Sequence, residues 1–104
     1  MKKLFVLIAF LVCSSSYGQS IIVAHINADF NIQNDWSEMT QLQGAKLLNR
    51  YIDKKPALKE AYNIKYVPTL IIFKDGKEIK RYEAGLDMKL HIKLEDVQAE
   101  INKL

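Results

Sequence analysis

Apolar and polar positions along the chain fall into blocks that mark out most of its elements. Ile21-Ile22-Val23-Ala24-His25-Ile26 is a β-branched, apolar run with the pattern of a buried strand. Residues 27–34 are polar and read as a loop. Asp35, with Glu38 three residues later, has the spacing of a capping box. It predicts a short helix from Trp36 to about Gln43, stopped by Gly44. Ala45 to Ile52 reads as a second strand. Pro56 suits the first position of another short helix, which Asn63 can end in the left-handed conformation. Thr69 to Phe73 is the strongest strand signal. Asp75-Gly76 predicts a tight hairpin, with Lys77 to Glu83 as the returning strand. Gly85 marks a bulge or the end of that strand. Leu90, Leu94, Val97, Ile101 and Leu104 recur at alternating spacings of four and three, one face of a helix. Leu90, Ile92 and Leu94 also alternate, so residues 88–93 fit an extended reading, and helix is expected from Leu94.

The order is therefore β-α-β-α-β-β-α. The second strand reaches the third through a helix, as in a parallel crossover, and the last two strands form a hairpin. The expected class is α/β, a central mixed β-sheet flanked by helices.

The first 18 residues follow a different pattern. Lys2 and Lys3 form a short basic region, Leu4 to Cys13 is an unbroken apolar run, and Ser14-Ser15-Ser16-Tyr17-Gly18 follows. This three-part order is that of a secretory signal peptide, with cleavage expected after Gly18 or Gln19. A ten-residue apolar helix rises only about 15 Å, roughly half a bilayer core. The expected division is a signal peptide, 1–18, and one exported domain, 19–104, periplasmic or secreted. Cys13, at the end of the apolar run, is the candidate lipidation residue; its use would give a lipid-anchored envelope protein instead.

Removing the leader changes the charge picture. The whole chain has 15 basic and 12 acidic residues and a net charge of +3. Without Lys2 and Lys3 the domain keeps 13 basic residues and all 12 acidic ones, close to neutral. That excludes a strongly basic nucleic-acid binder. Cys13 is the single cysteine, so the domain has no disulfide framework and no thiol. Two distant histidines give no zinc set, and the four scattered glycines give no phosphate loop. No metal or cofactor is expected. The charges around Lys74, Lys77, Lys80 and Arg81 alternate with Asp75, Glu78 and Glu83, the pattern of a solvated edge hairpin.

The segment from Tyr62 through Val67-Pro68-Thr69 to Phe73 and Gly76 resembles the second half of a thioredoxin. Its order is a short helix end, a Val-Pro-Thr turn, an apolar strand, and a Phe followed by Gly at the hairpin. Asp53, Pro56 and Gly85 fall where thioredoxins place similar residues. The resemblance implies a thioredoxin-like fold with a cis bond before Pro68. It also implies that the backbone of Val67 pairs with an extended peptide, giving a candidate groove at Val67, Pro68 and Thr69. Laid over the family pattern, Ala28 and Phe30 match the Ala and Trp before its catalytic motif. Asn31 and Asn34 then fall on the two cysteine positions. An amide cannot form the thiolate that disulfide exchange requires. Asn31 and Asn34 become candidate binding or turn-forming residues. His25 falls on a strand position where many thioredoxins have a buried Asp. It is expected to be a hydrogen-bonded strand histidine, and His91 a surface residue. Trp36 is expected in the core unless it marks a binding site. The segment from the first strand to Gly44 is a few residues shorter than in thioredoxins, so the helix after the motif is truncated.

Three functions follow as expectations. One is a redox-inactive module that binds a peptide or protein partner in the envelope. Another is a relative of the thiol–disulfide oxidoreductases acting in envelope redox homeostasis. The last is a structural or envelope-assembly role, with membrane attachment only through a lipidated Cys13.

Overall fold

The computed structural model describes residues 20–104. The predicted leader and Cys13 lie outside the described residues. Four strands form one sheet: β1 (Ile21–Asn27), β2 (Lys46–Tyr51), β3 (Thr69–Lys74) and β4 (Lys77–Glu83), in the spatial order β2-β1-β3-β4. β1 runs parallel to β2 and antiparallel to β3, which pairs antiparallel with β4. The sheet is mixed and carries helical elements, as the pattern predicts.

The crossover is not where the sequence reading puts it. The β2–β3 connection holds the helix α1 (Ala57–Ala61), but these strands are neither adjacent nor parallel. The parallel crossover is the β1–β2 connection. β1 is the reason. Its residues 23–27 are buried, so it takes an interior position with a neighbour on each side.

Strand alternation divides the core in two. Val23, Leu70 and Ile72 pack with Trp36, Met39 and Leu42 and with Val97 and Ile101 of α2 (Leu94–Asn102). Leu94 of α2, with Leu90 before the helix and Leu104 after it, packs at the margin of the same cluster. Ile26, Ala28, Ile64, Val67 and Ile71 form the second cluster.

The local signals with their own backbone chemistry hold. Asp75 and Gly76 have φ of 52° and 83°, the two left-handed residues of a tight hairpin. Asn63 follows α1 with φ 53°. Its carbonyl and that of Tyr62 accept from Arg81 Nη1 and Nη2 at 3.2 and 2.7 Å, so β4 caps the helix end. Glu78 takes the same guanidinium through two contacts of 2.9 and 2.8 Å.

Two local readings need correction. Residues 29–34 form a 3₁₀ turn, Asp29–Asn34, kinked at Asn31, rather than a loop. The helix expected over Trp36–Gln43 is a shorter 3₁₀ turn, Ser37–Gln41, with no side-chain cap. Asp35 cannot cap it because its carboxylate is engaged by Asn27 and Tyr51. Gly85 follows the end of β4, the second of its two readings, and the bulge lies earlier. Ile72 pairs with Lys80 but Phe73 with Glu78, so Ile79 is the extra residue of a bulge, and β4 ends at Glu83. Residues 88–93 join no sheet, and helix begins at Leu94 as expected.

The bulge yields a test. Ile72 is fully buried, whereas Ile79 is 46% exposed. Ile72→Val should cost about 1 kcal/mol, while Ile79→Val should be nearly neutral. Urea unfolding of both variants decides; equal losses would place Ile79 in the core.

Candidate functional site

On the face that carries α2, β1 and β2 align Val23 with Leu47, His25 with Asn49, and Asn27 with Tyr51. The series runs from apolar to polar toward the carboxyl ends of two parallel strands. Ligand sites of α/β sheets gather at that end. His25 is 2% exposed. Its Nδ1 lies 2.9 Å from Asn49 Oδ1, and its Nε2 accepts the Trp36 backbone N–H at 3.1 Å. With Nε2 accepting, the proton sits on Nδ1 and the ring is neutral. It anchors the start of the second 3₁₀ turn. Trp36 is buried in the core, as the first of the two readings has it; its indole N–H has no partner among the described residues.

Asn27 and Asn31 are both buried, and each satisfies the other. Asn27 Nδ2 donates to the Asn31 carbonyl at 2.9 Å and to Asp35 Oδ1 at 2.6 Å. Its Oδ1 accepts from Asn31 Nδ2 at 3.1 Å. Asn31 Oδ1 accepts from Asn34 Nδ2 at 2.7 Å. Tyr51 donates its hydroxyl to Asp35 Oδ2 at 2.6 Å. That hydrogen bond, with burial, raises the Tyr51 phenol above its ordinary range.

Asn31 reaches outward as well. Its Nδ2 lies 3.1 Å from the Met88 carbonyl and 3.4 Å from that of Val67. The Val67–Pro68 peptide bond is cis. The topology thus brings Asn31 and Asn34 to Val67 and Pro68. Of the two readings of these amides, Asn31 fits the turn-forming one: it is 2% exposed and bonds to the protein, and Asn34 Nδ2 bonds to it. Thr69 is corrected. It is fully buried, and its hydroxyl donates to the Tyr66 carbonyl at 2.6 Å, tying the loop rather than facing the groove.

Beside Val67 opens a cleft of about 310 Å³. Phe30 and Ile64 line it, and Tyr66, Leu86 and Met88 stand along it. Phe30 is 63% exposed and Leu86 97% exposed. The sequence reading did not include these walls. Their signal was present as apolar residues set singly in polar segments, Phe30 in 27–34 and Leu86 between Gly85 and Asp87. His91 is a surface residue as expected, 2.6 Å from Asp87. Among the described residues, no cluster of His, Cys, Asp or Glu has the makings of a metal site, and no helix is long and apolar enough to cross a membrane.

A family model described as thioredoxin matches residues 31–96, well over half of the chain. The chain belongs to the thioredoxin family. The match begins at Asn31 and includes the Val67–Pro68 turn, the hairpin and the first residues of α2. A thioredoxin of Chlamydia trachomatis is 41% identical over 54 residues, covering 52% of this chain and 53% of that one. A thioredoxin of Chlamydia caviae is 57% identical over 30 residues, 29% of each. This chain therefore spans about half or less of the curated relatives it matches. Among solved structures, thioredoxin-2 of a malaria parasite superposes with a TM-score of 0.68 at 24% identity, covering 83% of this chain and 84% of that one. That protein is a component of the parasite's protein secretion machinery. A mutant thioredoxin of Halobacterium salinarum gives 0.62 at 25% identity, over 81% and 74%. The fold is that of the thioredoxins.

Two tests follow from the network. Asn31→Ala removes a fully engaged buried amide and leaves Asn27 Oδ1 without its donor. It should cost about 1–3 kcal/mol, read by chemical unfolding. Tyr51 should ionise above the ordinary tyrosine range, and Asp35→Asn should bring it down in an ultraviolet titration. A raised folded value means stability that is complete below the unfolded tyrosine pKa, near 10, and lost as pH rises through the folded value. The wild type should therefore lose stability to alkali, and Asp35→Asn should lose less.

Proposed function

We propose that this thioredoxin-family domain is an exported, redox-inactive module. It holds an extended peptide or protein partner at the cleft beside Val67 and Pro68. The reading rests chiefly on Asn31. In the resemblance to thioredoxins, Asn31 and Asn34 occupy the two cysteine positions, and residues 19–104 contain no cysteine. Thiol–disulfide exchange needs a thiolate to attack and a second sulfur to resolve the mixed disulfide. An amide supplies neither, and the Asn31 amide is spent on structural hydrogen bonds.

The binding half of the reading is supported by the donor count at Asn31. Its Nδ2 carries two hydrogens and has three acceptors nearby. The Val67 carbonyl is the most distant, at 3.4 Å. An incoming peptide N–H takes that oxygen while Asn31 keeps Asn27 and Met88. Backbone pairing of this kind gives affinity without a sequence requirement. Apolar walls exposed as far as Leu86 and Phe30 are the kind of surface that marks interaction sites.

The rival reading is an oxidoreductase, favoured by the name thioredoxin on the relatives. An insulin-reduction assay separates them. The native chain should show no turnover above the dithiothreitol background. The double variant Asn31→Cys with Asn34→Cys should gain it; turnover by the native chain overturns the proposal. Export, to the periplasm or beyond, or anchoring through Cys13, is part of the same proposal. Mass spectrometry of the mature N-terminus should find Gln19 or Ser20 first, whereas lipidated Cys13 would make it an envelope-anchored protein.

A further inference from the structure

We infer that the partner of the Val67 cleft is an extended peptide with a bulky apolar side chain beside a carboxylate. This rests on the peptide-binding reading above and adds its specificity. About 310 Å³ sits at the low end of small-ligand pockets, room for a side chain or two rather than a folded surface. Phe30, Leu86 and Met88 offer that side chain apolar walls, all three exposed.

The charge on the rim is of one sign. Among the described residues, Lys59 and Lys65 line the cleft and no carboxylate does. Neither lysine forms an ion pair among those residues. Two of the acids close by in sequence, Asp53 and Asp87, are engaged elsewhere. Asp53 Oδ1 accepts the Asp29 N–H at 2.7 Å. Asp87, between Leu86 and Met88 in the chain, accepts from the Lys89 N–H at 3.2 Å and contacts His91 at 2.6 Å. The domain as a whole is nearly neutral. The two lysines are thus a local feature beside an apolar slot, not a sample of a basic surface. An acidic group next to the apolar anchor is the complement that satisfies both, and rim charges act on selectivity and encounter rate.

The test uses isotope-labelled full chain titrated with three short extended peptides, identical except for a central Leu-Glu, Leu-Lys or Ser-Glu pair. The Leu-Glu peptide should shift the amides of residues 64–67 and 85–88. It should bind about tenfold more tightly than Leu-Lys, and the ratio should fall as salt is added. Ser-Glu should bind most weakly. The double variant Lys59→Gln with Lys65→Gln should bind Leu-Glu and Leu-Lys equally while still shifting the same amides. Equal affinity for Leu-Glu and Leu-Lys in the native chain, with the cleft amides still moving, overturns the acidic preference and leaves peptide binding standing. Cleft amides unmoved by all three peptides overturn both. Vesicles of anionic lipid that deplete the chain from solution and shift the same amides would assign Phe30, Leu86 and the lysines to a membrane surface, against the inference.

Discussion

The mutual hydrogen bonding of Asn27 and Asn31 is the constraint on which the functional end of this domain depends. A primary amide buried without partners costs several kcal/mol, so two at the end of a central strand are tolerable only when each group is met. Here they are met by one another, by Asp35, by Asn34 and by the Met88 carbonyl. The chain positions joined lie on β1, the first 3₁₀ turn and the loop before α2. A buried network of this kind favours one arrangement over its competitors because every alternative leaves an amide unpaired.

The same network explains which parts of the molecule could be read in advance. The hairpin, the left-handed Asn63 and α2 were legible because each signal is local. A Gly after Asp fixes a turn and an apolar stripe fixes a helix face, whatever the rest of the chain does. The segment 27–35 was not legible because its pattern is inverted. Phe30 and Ile32 lie outside while Asn27 and Asn31 lie inside. Asp35 reads as a capping residue by its spacing to Glu38. Tyr51 and Asn27, neither adjacent in sequence, claim its carboxylate first. The order of β2 and β3 was missed for a related reason. Burial on both faces moves β1 to the interior, and a pairwise connection rule does not contain that information.

The candidate site was half legible. The Val-Pro-Thr turn and the paired asparagines are far apart in sequence, and the fold brings them together at one end of the sheet. The cleft walls escaped because they come from three separated stretches. Leu86 and Met88 reach it only because the chain leaves β4 at Glu83 and crosses back before α2. Composition alone gives no reason to pair them with Phe30.

Two 3₁₀ turns fill the connection between β1 and β2, and a 3₁₀ turn places every third side chain in one direction. Trp36, Met39 and Leu42 have that spacing, and all three are buried against Val23, Leu70 and α2. The segment therefore covers its face of the sheet, and a left-handed Gly44 returns the chain to β2. Its start is held from beneath by His25, whose ring accepts the Trp36 N–H. His25 is thus held in structural hydrogen bonds on both of its ring nitrogens. Together with the buried Asn31 amide, this makes the end of the sheet a stable frame around an open cleft. Among the described residues that frame contains no thiol.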